Sequence, residues 1–172
     1  MRVIVTRLLL LTLLALLLAP AAASAATYVY DVPELVERPL KAVKKAAKFD
    51  VLLPSRFTSD RRKLYSQGSG RARSYRFDVG AVKGCGTATA CAVASFRARR
   101  GGKPTNTRKV TLRGGRRGYF RALQCGASCA APSLQWVQGG VLYTIEAKLG
   151  SQKTERRVLV RLANSAIANG AR

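Results

Sequence analysis

Four cysteines and a long series of guanidinium groups are the side chains of this sequence best equipped for chemistry. The cysteines stand as Cys85-x5-Cys91 and Cys125-x3-Cys129. Thiols so placed can form disulfides, hold a metal or exchange electrons. Four cysteines allow three pairings. The local one, Cys85 with Cys91 and Cys125 with Cys129, is expected, because both intervening segments are rich in small residues that bend easily. A four-thiolate zinc site competes with this reading, but the x5 and x3 spacings fit zinc knuckles poorly. Redox catalysis calls for Cys-x-x-Cys at a helix N-terminus, which the sequence lacks. A local loop of this size stabilises by only about 2 kcal/mol, against about 4 for a long-range bond such as Cys85 to Cys125. The expected bonds therefore fix loop shape more than overall stability.

The guanidinium groups are concentrated. Of 172 residues, 31 are Lys or Arg and 8 are Asp or Glu, a formal charge of +23. Residues 61–121 hold 17 basic residues and a single acid, Asp78. Arg73, Arg76, Arg97, Arg99, Arg100, Arg113, Arg116 and Arg117 are the anion-binding candidates. Arg61-Arg62-Lys63, Arg71, Lys103 and Arg108-Lys109 belong to the same run, and Tyr65, Tyr75, Phe96, Tyr119 and Phe120 are interleaved with it. Such a surface suits a phosphate polymer, through charge contacts and stacking. The competing reading is a solvated basic coat over core aromatics.

Other chemistries are disfavoured. With no histidine, Ser-His and Cys-His catalysis and histidine-ligated metals are removed. Asp50, Asp60, Asp78 and Glu146 are scattered, and nothing in the sequence brings two together for paired-carboxylate work. Phosphate loops, dinucleotide glycine patterns and recognisable nucleic-acid modules are missing. An enzyme is not expected, and neither is a cofactor or a resident metal.

Residues 1–25 read as a signal peptide. Arg2 and Arg7 precede an apolar run from Leu8 to Ala19, Pro20 ends it, and Ala23-Ser24-Ala25 fits the cleavage rule. An uncleaved N-terminal anchor is the alternative, although the run is short for a membrane span. Residues 26–172 are then a single secreted or cell-envelope domain with its core within 50–170, in a compartment that favours disulfides.

The elements that must position these groups follow from periodicity. Residues 27–38 are expected to be an extended lead-in, and Pro39 to open a helix reaching about Phe49, with Leu40, Val43 and Ala47 facing a core. Its lysines, Lys41, Lys44, Lys45 and Lys48, are expected to be solvated. The segment Asp50-Val51-Leu52-Leu53-Pro54 is a short apolar strand candidate ended by proline. The stretch 55–72, with Gly68-Ser69-Gly70, is expected to be a surface loop. Period-2 alternation marks strands at Tyr75–Val79, Ala92–Arg99, Val110–Leu112, Leu134–Trp136 and Val141–Leu149. Gly114-Gly115 and Gly139-Gly140 are turn candidates. A helix follows, carrying Leu159, Leu162, Ala163, Ala166 and Ile167 on one stripe, with Thr154 or Ser151 as cap and Gly170 as stop. The expected class is α+β: an antiparallel β-meander with an N-terminal and a C-terminal helix packed on one face and two local disulfides.

The Cys85-x5-Cys91 loop, Gly118-Tyr119-Phe120, the Cys125-x3-Cys129 loop, Trp136-x-x-x-Gly140-x-x-Tyr143 and Leu162-Ala163-Asn164-Ser165-Ala166-Ile167 together resemble a group of small exported bacterial proteins of no known activity. The resemblance spans about residues 51–170. It implies an extracytoplasmic fold and carries over no functional residue. The expected function is non-enzymatic binding of an anionic envelope polymer, a nucleic acid or an acidic protein surface. The alternative is a small exported inhibitor or accessory subunit docking through its cysteine loops.

Overall fold

The computed structural model describes residues 26–86 and 88–171. The segment expected to be a signal peptide lies outside these residues.

Alternation builds most of the fold. Strands β3 (Tyr65–Arg71), β4 (Ser74–Gly80), β5 (Ala92–Arg100), β6 (Arg108–Thr111), β7 (Arg117–Arg121), β10 (Ser133–Gln138) and β11 (Val141–Ala147) form a seven-stranded sheet, every pairing antiparallel. Two small ribbons accompany it. One pairs β1 (Tyr28–Asp31) with β2 (Arg56–Ser59), and the other pairs β8 (Gln124–Cys125) with β9 (Cys129–Ala130). Helices α1 (Val32–Leu35), α2 (Glu37–Ala46) and α3 (Glu155–Asn169) complete the mixed helix and strand composition.

The strand order is β3-β4-β5-β11-β10-β7-β6. The chain runs inward as three adjacent strands, leaves β5 for the far edge at β6, and returns inward to close β11 against β5. Sequence order and spatial order thus part company after β5. Gly139 and Gly140, both at positive φ, make the two-residue turn of the β10–β11 hairpin, a conformation that glycine adopts without strain.

One face of the sheet is the core. Tyr75, Phe77 and Val79 of β4 lie opposite Ala98, Phe96 and Ala94 of β5, which lie opposite Tyr143, Ile145 and Ala147 of β11. Leu134, Trp136 and Phe120 extend the same buried surface, and Trp136 stacks on Tyr143 at 5.3 Å between centroids. In α3, Leu159, Leu162, Ala163 and Ala166 are buried, and the helix touches β10 and β11. Its Asn164 accepts a hydrogen bond from the Arg113 backbone N–H, and Ser165 accepts one from that of Ser55. The helix start is tied down by Glu155, itself buried, which accepts from the Leu123 backbone N–H.

The N-terminal third departs from expectation. The segment 55–72 is not a loop: it contains β2 and β3. Its glycines serve close packing, because a Cβ on Gly70 would stand 2.9 Å from the Val43 Cα of α2, and one on Gly68 would meet Phe77 and Pro39. Helix therefore lies almost directly on strand there. The lead-in is also more structured than proline content suggests. Asp31 caps α1 by accepting from the Glu34 N–H, and Pro33 sits in the first turn, where no donor is needed. Helix α2 starts at Glu37, ahead of Pro39. Val32, Val36 and Val43 join the same core. Residues 51–54 form no strand. They are buried irregular chain, held because the Tyr75 hydroxyl donates to the Leu52 carbonyl and accepts from its N–H, while the Tyr143 hydroxyl donates to the Asp50 carbonyl.

The disulfides are Cys85–Cys91 and Cys125–Cys129, with Cα separations of 5.8 and 4.0 Å. No free cysteine remains among the described residues. Formed disulfides suit an oxidising, extracytoplasmic environment. Among the described residues, no helix is long and apolar enough to cross a membrane.

Candidate functional site

The second face of the sheet is assembled from the residues between the core positions. Register places Arg76, Arg97, Thr144, Gln135, Tyr119 and Lys109 in one row across β4, β5, β11, β10, β7 and β6. A neighbouring row holds Arg71, Ser74, Arg99 and Leu142, and a third holds Gln67, Asp78, Ser95, Glu146, Ser133 and Arg121. This face carries guanidinium groups on β4 and β5 where the other carries aromatic rings, and Tyr119 is the aromatic residue in its rows.

Charge on this face is only partly balanced. Arg76 pairs with Asp78, its neighbour two residues along β4, at 2.6 Å. Glu146 is hydrogen-bonded to Arg97 and lies 3.9 Å from Arg121. Burial, and then the adjacent Arg76 guanidinium, pull the Arg97 guanidinium below its ordinary value, with Asp78 opposing them. Two carboxylates thus serve three guanidinium groups. Among the described residues, Arg71, Arg99 and Lys103 have no carboxylate within 4 Å.

These cations converge on a groove of about 490 Å³, whose wall includes Arg71, Arg76, Arg97, Arg99 and Lys103 and contains no carboxylate. Ser69, Ser74, Thr105, Thr144 and Gln135 fill the gaps between them. The loop after β5 builds one wall. Gln135 fixes it by accepting from the Thr105 and Asn106 backbone N–H groups, and Asn106 donates to the Tyr119 and Ser133 carbonyls. Gly102 lets this loop lie on Leu142, since a Cβ there would stand 2.8 Å from the Leu142 Cβ.

The sequence candidates divide. Arg76, Arg97 and Arg99 line the groove. Arg73 occupies the β3–β4 turn, its guanidinium beside Gly101, and is not part of the groove wall. Arg100 points away, because alternation turns it to the opposite side from Arg99. It donates to the Lys48 carbonyl at 2.7 Å and lies over the Phe49 ring. Arg113, Arg116 and Arg117 sit apart at the β6–β7 turn, where Arg116 and Arg117 border a separate cleft with Lys109. Sequence alone singles out neither Arg121 nor the pairing role of Glu146. Both are in principle readable, Arg121 because it alternates with Phe120 and shares the face of Tyr119, and Glu146 as the one acid of β11.

The two disulfide loops meet at the other end of this face. Gly86 and Thr89 from one loop, and Ala130 and Ala131 beside the other, border a smaller cavity of about 140 Å³ with Ser95, Asp78, Arg121 and Glu146. Lys148 anchors the first loop by donating to the Thr89 carbonyl. Arg76 lines both the cavity and the groove. The chain matches no protein-family model, no curated protein and no solved structure, so the geometry of this face carries the functional reading.

Proposed function

We propose that this is an exported, non-enzymatic binding domain that holds an anionic polymer in the groove of its open sheet face. One observation carries the reading: five cationic side chains share the groove wall, no carboxylate lines it, and among the described residues three of the five, Arg71, Arg99 and Lys103, have no carboxylate within 4 Å. A wall of this kind attracts polyanions, and binding releases their counterions. The architecture belongs to the proposal. An N-terminal and a C-terminal helix on one face of an antiparallel sheet leave the other face to a ligand, and the close approach of Gly70 to Val43 and the burial of Leu162 support it. The formed disulfides support residence outside the cytoplasm.

A salt titration tests the reading. The whole chain, with both disulfides formed, is expected to bind a polyanion at 0.15 M salt, with an affinity that falls linearly in log–log form as salt rises. Absence of binding at that ionic strength, where attraction beyond about 8 Å is screened, defeats the proposal in favour of a solvated basic coat.

A second reading, an inhibitor or accessory subunit docking through its cysteine loops, draws support from the meeting of both loops around the smaller cavity. It predicts a protein partner whose affinity changes little with salt and is lost on reduction of the disulfides.

A further inference from the structure

We infer that the polymer suited to this groove is a flexible polyol phosphate, its charges joined by hydroxylated, non-aromatic linkers and read without base stacking. This rests on the groove being the binding site, as proposed above. The first reason is the missing platform. Proteins that hold single-stranded nucleic acid combine a basic groove with exposed aromatic rings on which bases stack. The one aromatic residue in the groove wall is Tyr75. Its ring belongs to the opposite face, stacked on Phe49 and hydrogen-bonded to Leu52. Tyr119, an aromatic residue of the polar face, lies beyond Gln135 in the register row and outside the groove wall.

The second reason is the pattern of neutral groups. Ser74 stands between Arg71 and Arg99 in one register row; Ser69 and Arg76, then Arg97 and Thr144, are neighbours in the next. In the first row a hydroxyl separates two cations, and in the second hydroxyls flank the adjacent pair Arg76 and Arg97, so every cation of these rows has a hydroxyl beside it, which suits a chain whose phosphates are joined by hydroxylated units. The third reason is spacing. Arg97 and Arg99 are separated by about 7 Å along β5, and Arg71 and Arg99 by about 10 Å across two strand spacings. A flexible chain can lay successive phosphates on such a grid. A double helix, with a charge about every 1.7 Å of its axis, is too stiff and too broad for a groove of about 490 Å³.

Competition binding at 0.15 M salt tests this on the whole oxidised chain. The probe is labelled poly(glycerol phosphate), and the competitors are poly(dT) and poly(Glu) matched in charge. The expected result is a preference of at least about tenfold for poly(glycerol phosphate). Ser74→Ala with Thr144→Val should erode that preference without changing the salt slope, since neither carries charge. Equal or tighter binding of poly(dT) overturns the inference in favour of nucleic acid. Equal binding of poly(Glu) overturns it in favour of unselective charge attraction. In both cases the groove reading is decided separately, by whether Arg71→Gln, Arg99→Gln and Lys103→Gln together remove binding of the polymer that is held. If none of the three binds, the groove reading itself fails.

Discussion

The two faces of the seven-stranded sheet are made from alternate residues of the same strands, yet they solve opposite problems. On one face Phe77, Phe96 and Ile145 stand in a row and exclude water. Directly beside them, Asp78, Arg97 and Glu146 point the other way and form ion pairs. The apolar face gains stability by burial at about 25 cal/mol per Å² of surface removed from water. The polar face gains little from its partly exposed pairs, and at the groove it carries more positive charge than it balances. That surplus adds nothing to folding, which is the physical reason for reading it as a binding surface.

The largest expected effect belongs to the apolar face. Leu162→Asp places a charge in the contact between α3 and the sheet, where the native side chain is 4% exposed. It should destabilise the protein by about 3–5 kcal/mol in chemical denaturation. An unchanged midpoint would show that α3 is not docked as described.

Breaking the disulfides comes next. Replacing Cys85 and Cys91 by Ser should cost about 2 kcal/mol, and the same change at Cys125 and Cys129 a similar amount. Both loops border the polar face, so thermal unfolding should fall while the near-ultraviolet signature of the stacked Trp136 and Tyr143 persists.

Glu146→Gln separates the faces most sharply. It leaves Arg97 and Arg121 without their shared carboxylate. Since both guanidinium groups are about one third exposed, the expected loss is only about 1–2 kcal/mol. Polyanion affinity should rise, because Arg97 is freed for the ligand. A variant that loses both stability and affinity would count against a groove built on Arg97.

Alkaline titration probes the seam between the sheet and the irregular segment on its apolar face. Burial, and then the Asp50 charge, push the Tyr143 hydroxyl up to about 12, with Arg100 opposing. The unfolded phenol titrates near 10. Between those values the folded chain holds a proton that the unfolded chain has lost, so stability declines over about pH 10–12. The buried Tyr75 shifts in the same direction. Tyr143→Phe should flatten part of that decline, and an unaltered profile would show that Tyr143 does not contribute.

Much of this was legible in the sequence because it is local. Alternation exposed β4, β5, β10 and β11, the 3.6-residue stripe exposed α3, and close spacing in small-residue loops indicated the disulfide partners. What stayed hidden is non-local. Gly68-Ser69-Gly70 looks like a loop until α2 is seen lying on it, and the strand status of β3 depends on that packing. The placement of β6 at the far edge depends on pairing with β7, which no local signal encodes. Arg99 and Arg100 are adjacent in sequence and serve opposite sides of the sheet. Lys103 reaches the groove only because Gln135 fixes the loop that follows it.

The central claim is that binding depends on where the charge sits and not on how much there is, and two charge-matched variants decide it. In one, Arg71, Arg99 and Lys103 of the groove become Gln; in the other, Lys41, Lys44 and Lys45 of α2 become Gln. Each loses three positive charges. Stability should change by no more than about 0.5 kcal/mol per substitution in either, since all six positions are exposed. At 0.15 M salt the groove variant should lose most of its affinity for a polyanion, and its log–log salt slope should fall by about 2, in line with about 0.7 per lost contact for a single strand. The α2 variant should bind almost as the native chain does. Equal losses in the two variants would contradict the account and leave only a basic coat.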